Sequence, residues 1–139
     1  MSAPDFTHHV TVRLRETDAA GVVFFARYFD LLHTAFEAML EARGLGVGAI
    51  IAEGDYALPI VHAECDYGRP LRAGDAVAIH IAAERVGKTS FTLRYTVERG
   101  GAAVSRAKTV HVCVDLATGR KRALPEPVTA ALAGPPAGP

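Results

Sequence analysis

Polar and apolar residues alternate along HHVTVRLR, residues 8–15. Val10, Val12 and Leu14 fall on one side, with Thr11, Arg13 and Arg15 on the other. A period of two predicts a strand with one buried face. Residues 16–21 break the alternation and predict a turn. From Phe24 the period becomes helical. Arg27, Asp30, His33, Glu37 and Glu41 recur at steps of three or four and form one narrow polar stripe. Phe25, Tyr28, Phe29, Leu32, Phe36, Met39 and Leu40 take most of the remaining circumference. That pattern predicts a helix buried around much of its surface, and Gly44 is placed to end it.

So apolar a helix needs something wrapped around it. Residues 45–56 carry Gly46, Gly48 and Gly54 and are expected to be irregular. LPIVHAECD, residues 58–66, reads as a short strand, and Gly74-Asp75 as a turn. Three longer strands follow, over residues 76–86, 90–98 and 102–115. Phe91, Leu93, Tyr95 and Val97 share a face of the second; Val110, Val112 and Val114 share one of the third. The short links Gly87-Lys88 and Gly100-Gly101 fit hairpin turns, so these strands should form an antiparallel meander. A turn at 116–119 and a short helix at 128–132 complete the pattern. GPPAGP, residues 134–139, should be a mobile tail after one domain over 1–133. The class is α+β, with one antiparallel sheet curled around one long central helix. An uncovered sheet edge invites pairing with a second copy.

Lys+Arg and Asp+Glu both number 15 among 139 residues. A net charge of zero argues against nucleic-acid binding by broad electrostatic attraction, but leaves room for a local cationic patch. Neither Cys65 nor Cys113 sits in a CxxC pair. They read as reduced thiols of a cytosolic protein. MSAPDFTHHV lacks the basic-then-apolar order of a secretory signal, and no charge-free apolar run reaches spanning length. The expected location is the cytoplasm.

Candidate chemistry begins at Asp18, several residues before the helix, with Gly21 free to form a tight turn. The first N–H groups of a helix have no intrahelical acceptor, and the macrodipole adds partial positive charge there. Such a place can hold the negative charge that develops on a carbonyl oxygen. A carboxylate beside it in a water-excluding pocket can attack the carbonyl carbon or activate a water. The ordinary alternative is a helix N-cap, the commonest use of Asp at such a position.

DAAGVVFFARY, Asp18 to Tyr28, resembles the active-site segment of hot-dog-fold acyl-CoA thioesterases of the 4-hydroxybenzoyl-CoA thioesterase class. HTAFEAML, residues 33–40, and PIVHA, residues 59–63, resemble segments of 1,4-dihydroxy-2-naphthoyl-CoA thioesterases of quinone biosynthesis. The resemblance implies a hot-dog fold and hydrolysis of an aromatic acyl-CoA. It implies Asp18 as nucleophile or general base, the backbone N–H of Phe25 as oxyanion donor, and Gly21 as the turn joining them. No cofactor and no metal is implied, CoA being part of the substrate. The implied assembly is a homo-oligomer, a dimer or dimer-of-dimers tetramer with substrate at the subunit interface. Phe24 departs from the Tyr of many relatives, and Phe25 from the His of a short-chain branch linked to the cell envelope.

For substrate contacts the resemblance points to the turn Lys88-Thr89-Ser90 against the CoA phosphates, and to His62 and Tyr28. A polar turn and a satisfied histidine are the plain alternatives. Arg69 and Arg72 fit a solvated loop better than a phosphate site, and His33, Glu37 and Glu41 fit the solvated stripe. His8 and His9 are adjacent on a strand and point to opposite faces, so they cannot easily chelate one metal. His80 and His111 stand isolated in strands. The rivals are a short-chain acyl-CoA or acyl-carrier-protein thioesterase, a dehydratase, and a non-catalytic acyl-thioester-binding protein. The last would have no need of Asp18.

Overall fold

The computed structural model describes residues 6–134; residues 135–139 of the expected tail lie outside the described residues. The elements are β1 (Phe6–Thr11), a 3-10 turn (Leu14–Glu16), α1 (Phe25–Ala42), α2 (Val47–Glu53), β2 (Tyr56–Ala57), β3 (Ile60–Tyr67), β4 (Ala76–Val86), β5 (Ser90–Arg99), β6 (Ala102–Val112), β7 (Val114–Asp115) and α3 (Glu126–Ala133). The main sheet has the order β1-β4-β5-β6-β3, with every neighbouring pair antiparallel. β2 and β7 form a small second ladder. The meander is β4-β5-β6, and Gly100 and Gly101, both at positive φ, turn β5 into β6.

α1 supplies the centre of the core. Tyr28, Leu31, Leu32, Ala35, Phe36, Met39 and Leu40 are buried against Ile79, Ile81, Phe91, Leu93, Tyr95 and Val97 of the sheet. Each Leu, Ile, Val, Phe or Met side chain among them contributes about 1.5–3 kcal/mol by leaving water. The polar stripe faces out, where Arg27 meets Asp30 at 3.2 Å and His33 meets Glu37 at 3.2 Å. Gly44, at φ +82°, ends the helix, and the Leu45 amide reaches back to the Leu40 carbonyl at 2.8 Å.

Three expectations are corrected. Residues 47–53 form a helix rather than irregular chain, carried by Val47 and Ile50 packing on the core. β1 stops at Thr11, so Leu14 leaves the strand for the 3-10 turn and is 78% exposed. In β6 the inward residues opposite Phe91, Leu93 and Tyr95 are His111, Thr109 and Ala107, all buried; Val110 is half-buried on the other face. Those polar groups sit inside because they are bonded to each other. The Tyr95 hydroxyl lies 2.9 Å from Thr109 Oγ1, which lies 3.0 Å from His111 Nε2. His111 Nδ1 lies 3.2 Å from the Leu58 carbonyl. A carbonyl only accepts, so Nδ1 carries the proton and Nε2 accepts from Thr109. Burial depresses the His111 pKa to about 4, which keeps the ring neutral.

β3 is an outer strand of the sheet, and seven of its eight residues are exposed. Ile60 and Val61, at an irregularity in the β3–β6 register, are both open to solvent. Such an edge presents unpaired backbone groups and apolar side chains together.

Candidate active site

Residues 16–24 fold into a tight hairpin that leads into α1. The Phe24 amide donates to the Glu16 carbonyl at 2.9 Å, Thr17 bridges Val23, and the Asp18 amide donates to Val22 O at 3.0 Å. The Gly21 amide closes the tip on Asp18 O at 2.9 Å, and Gly21 sits at φ +82°, where a side chain is strained. Glu16 anchors the base. Only 6% exposed, its carboxylate accepts from the Arg13 amide at 2.7 Å and from Arg15 Nε at 3.1 Å. Leu71 O holds the returning strand through the Val23 amide at 2.8 Å.

The hairpin delivers the chain into α1 without a capping side chain. Asp18 is therefore not the N-cap of α1; Phe24 is. Asp18 Oδ1 instead accepts from the Ala20 amide at 2.9 Å, a local turn that holds the carboxylate and leaves Oδ2 without a partner among the described residues. At the helix end, the amides of Arg27 and Tyr28 both donate to Phe24 O, while those of Phe25 and Ala26 meet no acceptor among the described residues. One acid and two unpaired N–H donors thus belong to a single hairpin–helix unit. Asp18 is exposed, so this chain alone does not exclude water from it.

The helix end meets the edge strand. The Tyr67 hydroxyl, on β3, donates to Phe25 O at 3.3 Å, and its ring packs edge-on against Tyr28 with centroids 5.0 Å apart. The Tyr28 hydroxyl is bonded to Ser105 of β6, and burial raises the Tyr28 pKa to about 12. Phe24 and Phe25 stack edge-on at 4.9 Å and are 40% and 64% exposed. Cys65, Tyr67, Val104 and Ser105 line a hollow of about 390 Å³ beside this corner. A larger groove of about 1020 Å³ runs between the polar stripe of α1 and strands β1 and β4, and neither Asp18 nor Phe25 lines it. Neither of them lines the smaller hollow either; its link to the helix end is Tyr67.

The remaining candidates are dispersed. Tyr28 is 3% exposed and reaches the corner only through Tyr67. His62 is exposed on β3 and pairs with Glu64 at 3.0 Å. Lys88, Thr89 and Ser90 lie at the β4–β5 turn, tied to Leu124 and Cys113 through the carbonyls of Lys88 and Thr89. That turn and the 71–75 loop under the hairpin occupy opposite ends of the eleven-residue β4, about 30 Å apart at the usual strand rise. One chain does not bring Lys88 to its own Asp18. The nearer cation is Arg72, whose Nη1 lies 3.8 Å from where a Cβ on Gly21 would stand. The GRPLR segment carries no signal of that proximity, because the contact depends on how the 71–75 loop folds under the hairpin. Tyr67 was equally hidden: nothing in its spacing shows that it meets Phe25, 42 residues away.

Among the described residues no three His, Cys, Asp or Glu side chains converge as metal ligands, and no helix is long and apolar enough to cross a membrane. Both cysteines are free thiols, and burial pushes Cys65 up to about 11.

Known proteins share this fold. Residues 12–132 match the Thioesterase-like superfamily. The chain is 37% identical over 123 residues to a 1,4-dihydroxy-2-naphthoyl-CoA hydrolase of Nostoc punctiforme, covering 88% of this chain and 83% of that one. The crystal structure of a 1,4-dihydroxy-2-naphthoyl-CoA thioesterase from Synechocystis superposes with a TM-score of 0.87 at 34% identity, over 92% of this chain and 95% of that one. A gentisyl-coenzyme A thioesterase superposes with a TM-score of 0.83 at 25% identity, over 91% and 99% of the two chains. With its five-stranded antiparallel sheet packed on α1 and its acid-bearing hairpin at the helix start, the chain belongs to the Thioesterase-like superfamily and has the hot-dog fold.

Proposed function

We propose that this protein hydrolyses the thioester of an aromatic acyl-CoA, 1,4-dihydroxy-2-naphthoyl-CoA before others, to the free acid and CoA. The observation that carries the reading is the hairpin that bears Asp18 and opens into a helix whose Phe25 and Ala26 amides are unpaired. The hydrolase and thioesterase relatives support the substrate class.

The thioester carbonyl oxygen sits against the Phe25 amide. Charge that builds on it is met by that N–H and by the positive end of α1. In one route an Asp18 oxygen attacks the carbonyl carbon, the C–S bond breaks and CoA leaves as its thiolate. Water then hydrolyses the acyl–Asp18 anhydride and restores the carboxylate. In the other route Asp18 takes a proton from water, whose oxygen attacks; the C–S bond breaks and the proton passes to the thiolate. Both give one acid and one CoA. Phe24, Phe25 and Tyr67 offer aromatic surface to a flat acyl ring.

Water exclusion comes from a second copy. Strand β3 carries Tyr67 against Phe25, so a partner adding to this exposed edge covers the corner where the chemistry occurs. In that assembly His62 lies in the joint, and Lys88 serves a CoA bound to the neighbouring subunit. The test is release of CoA thiol from a panel of 1,4-dihydroxy-2-naphthoyl-, 4-hydroxybenzoyl-, acetyl- and butyryl-CoA. The reading expects kcat/KM for the aromatic thioesters to exceed that for the short aliphatic ones by about a hundredfold, equivalent to ~2.7 kcal/mol. Equal rates across the panel would remove the aromatic assignment.

A further inference from the structure

Tyr67 has no part in the reaction as written above beyond offering a ring surface, yet its hydroxyl donates to a particular atom. That atom, Phe25 O, belongs to the same planar peptide unit as the Ala26 N–H, one of the two unpaired donors at the start of α1. Resting on the thioesterase reading, we propose that Tyr67 is a positioning residue: by donating to Phe25 O it fixes and polarises the Phe25–Ala26 peptide, making the Ala26 N–H a second oxyanion donor beside that of Phe25.

The bond does not compete with the helix, because a carbonyl oxygen has two lone pairs. Donation to the carbonyl side of an amide draws electron density from nitrogen and strengthens its N–H as a donor, an effect of about 10–30% per bond. The ground-state distance of 3.3 Å is long for an O–H···O contact. As negative charge grows on the substrate oxygen, the Ala26 N–H is drawn toward it and Phe25 O becomes more basic. The Tyr67 bond then strengthens in the transition state more than in the bound thioester. An interaction of that kind raises kcat and leaves KM alone.

Two features keep the hydroxyl aimed. Its ring is braced edge-on by Tyr28, whose own hydroxyl is tied to Ser105 on β6. Gly68 follows it so closely packed that a Cβ there would stand 2.7 Å from Val104 O, which pins the end of β3 to β6.

The test compares wild type, Tyr67→Phe and Asp18→Asn on 1,4-dihydroxy-2-naphthoyl-CoA, and measures binding of the matching CoA thioether, which lacks the carbonyl. Tyr67→Phe keeps the ring and its Tyr28 contact. The expected result is a kcat lowered about three- to tenfold, with KM, thioether affinity and melting temperature unchanged. An unaltered kcat, or a thioether affinity falling in step with kcat, overturns the role of Tyr67. If Asp18→Asn is inactive in that same experiment, the thioesterase reading survives the loss. A wild-type chain without thioesterase activity overturns both.

Discussion

The Glu16 carbonyl and the Phe24 amide are joined at 2.9 Å, and this one bond closes the hairpin that carries Asp18 while it starts the helix that carries the unpaired donors. Acid and donors are therefore parts of one local structure. Whatever loosens the hairpin moves both.

Gly21 is the most sensitive point of that hairpin. A Cβ there would meet only Arg72 Nη1, at 3.8 Å, so space is not the obstacle; the φ of +82° is. Gly21→Ala should lower unfolding free energy by roughly 1–2 kcal/mol and reduce kcat by a larger factor than a distant mutation of equal cost. Urea unfolding and steady-state kinetics on the same preparation check both parts.

Gly68 answers to a different constraint. Its φ is ordinary, but a Cβ would stand 2.7 Å from the backbone oxygen of Val104, which already accepts the Gly68 and Arg69 amides at 3.0 and 2.9 Å. Gly68→Ala must push the end of β3 away from β6, at roughly 1–3 kcal/mol. Because Tyr67 rides on that strand end, turnover should fall with stability. An alanine variant with a wild-type urea midpoint would show that the approach is not this close.

His111 makes stability depend on pH. Its folded pKa, about 4, lies below the ordinary 6.5 because burial penalises the charged ring. The unfolded chain therefore binds the proton first. The contribution is fully present above about 6.5 and is lost as pH falls toward 4, a total on the order of 3 kcal/mol. His111→Gln can keep the donor to Leu58 O and the acceptor for Thr109 but cannot titrate. The wild type should lose stability relative to this variant between pH 6.5 and 4.5 in urea titrations. Parallel curves would mean that the ring is protonated in the fold.

The proposed pairing with a second copy runs through the edge strand β3. Val61 is 59% exposed on β3. Val61→Lys, a charge of the kind that blunts sheet edges, should give a single-chain species in sedimentation, with native circular dichroism and turnover reduced at least about tenfold. An active monomer would contradict closure of the site by a second copy.

Much of this was legible from residue order, and the reasons differ by element. The periodicity of residues 24–42 and 90–98 reports burial directly, so β5 was readable with its face, and α1 with most of its own, apart from Phe25, which is 64% exposed at the helix start. β6 was not, because Thr109 and His111 look outward by polarity and are held inside only by bonds to Tyr95 and Leu58. Helix α2 was obscured by Gly46, Gly48 and Gly54, yet packing of Ile50 overrides that composition. At the candidate site, Asp18 and the Gly21 turn stand out from local sequence, while Phe25 was named by the family resemblance. Tyr67 and Arg72 meet the same corner through long-range folding, which leaves no local trace.

The most direct measurement is turnover of 1,4-dihydroxy-2-naphthoyl-CoA by Asp18→Asn, which retains an acceptor for the Ala20 amide and removes the charge. The account predicts a kcat lowered about a hundredfold or more, with KM and melting temperature near those of the wild type. Wild-type turnover in that variant would contradict the account at its centre.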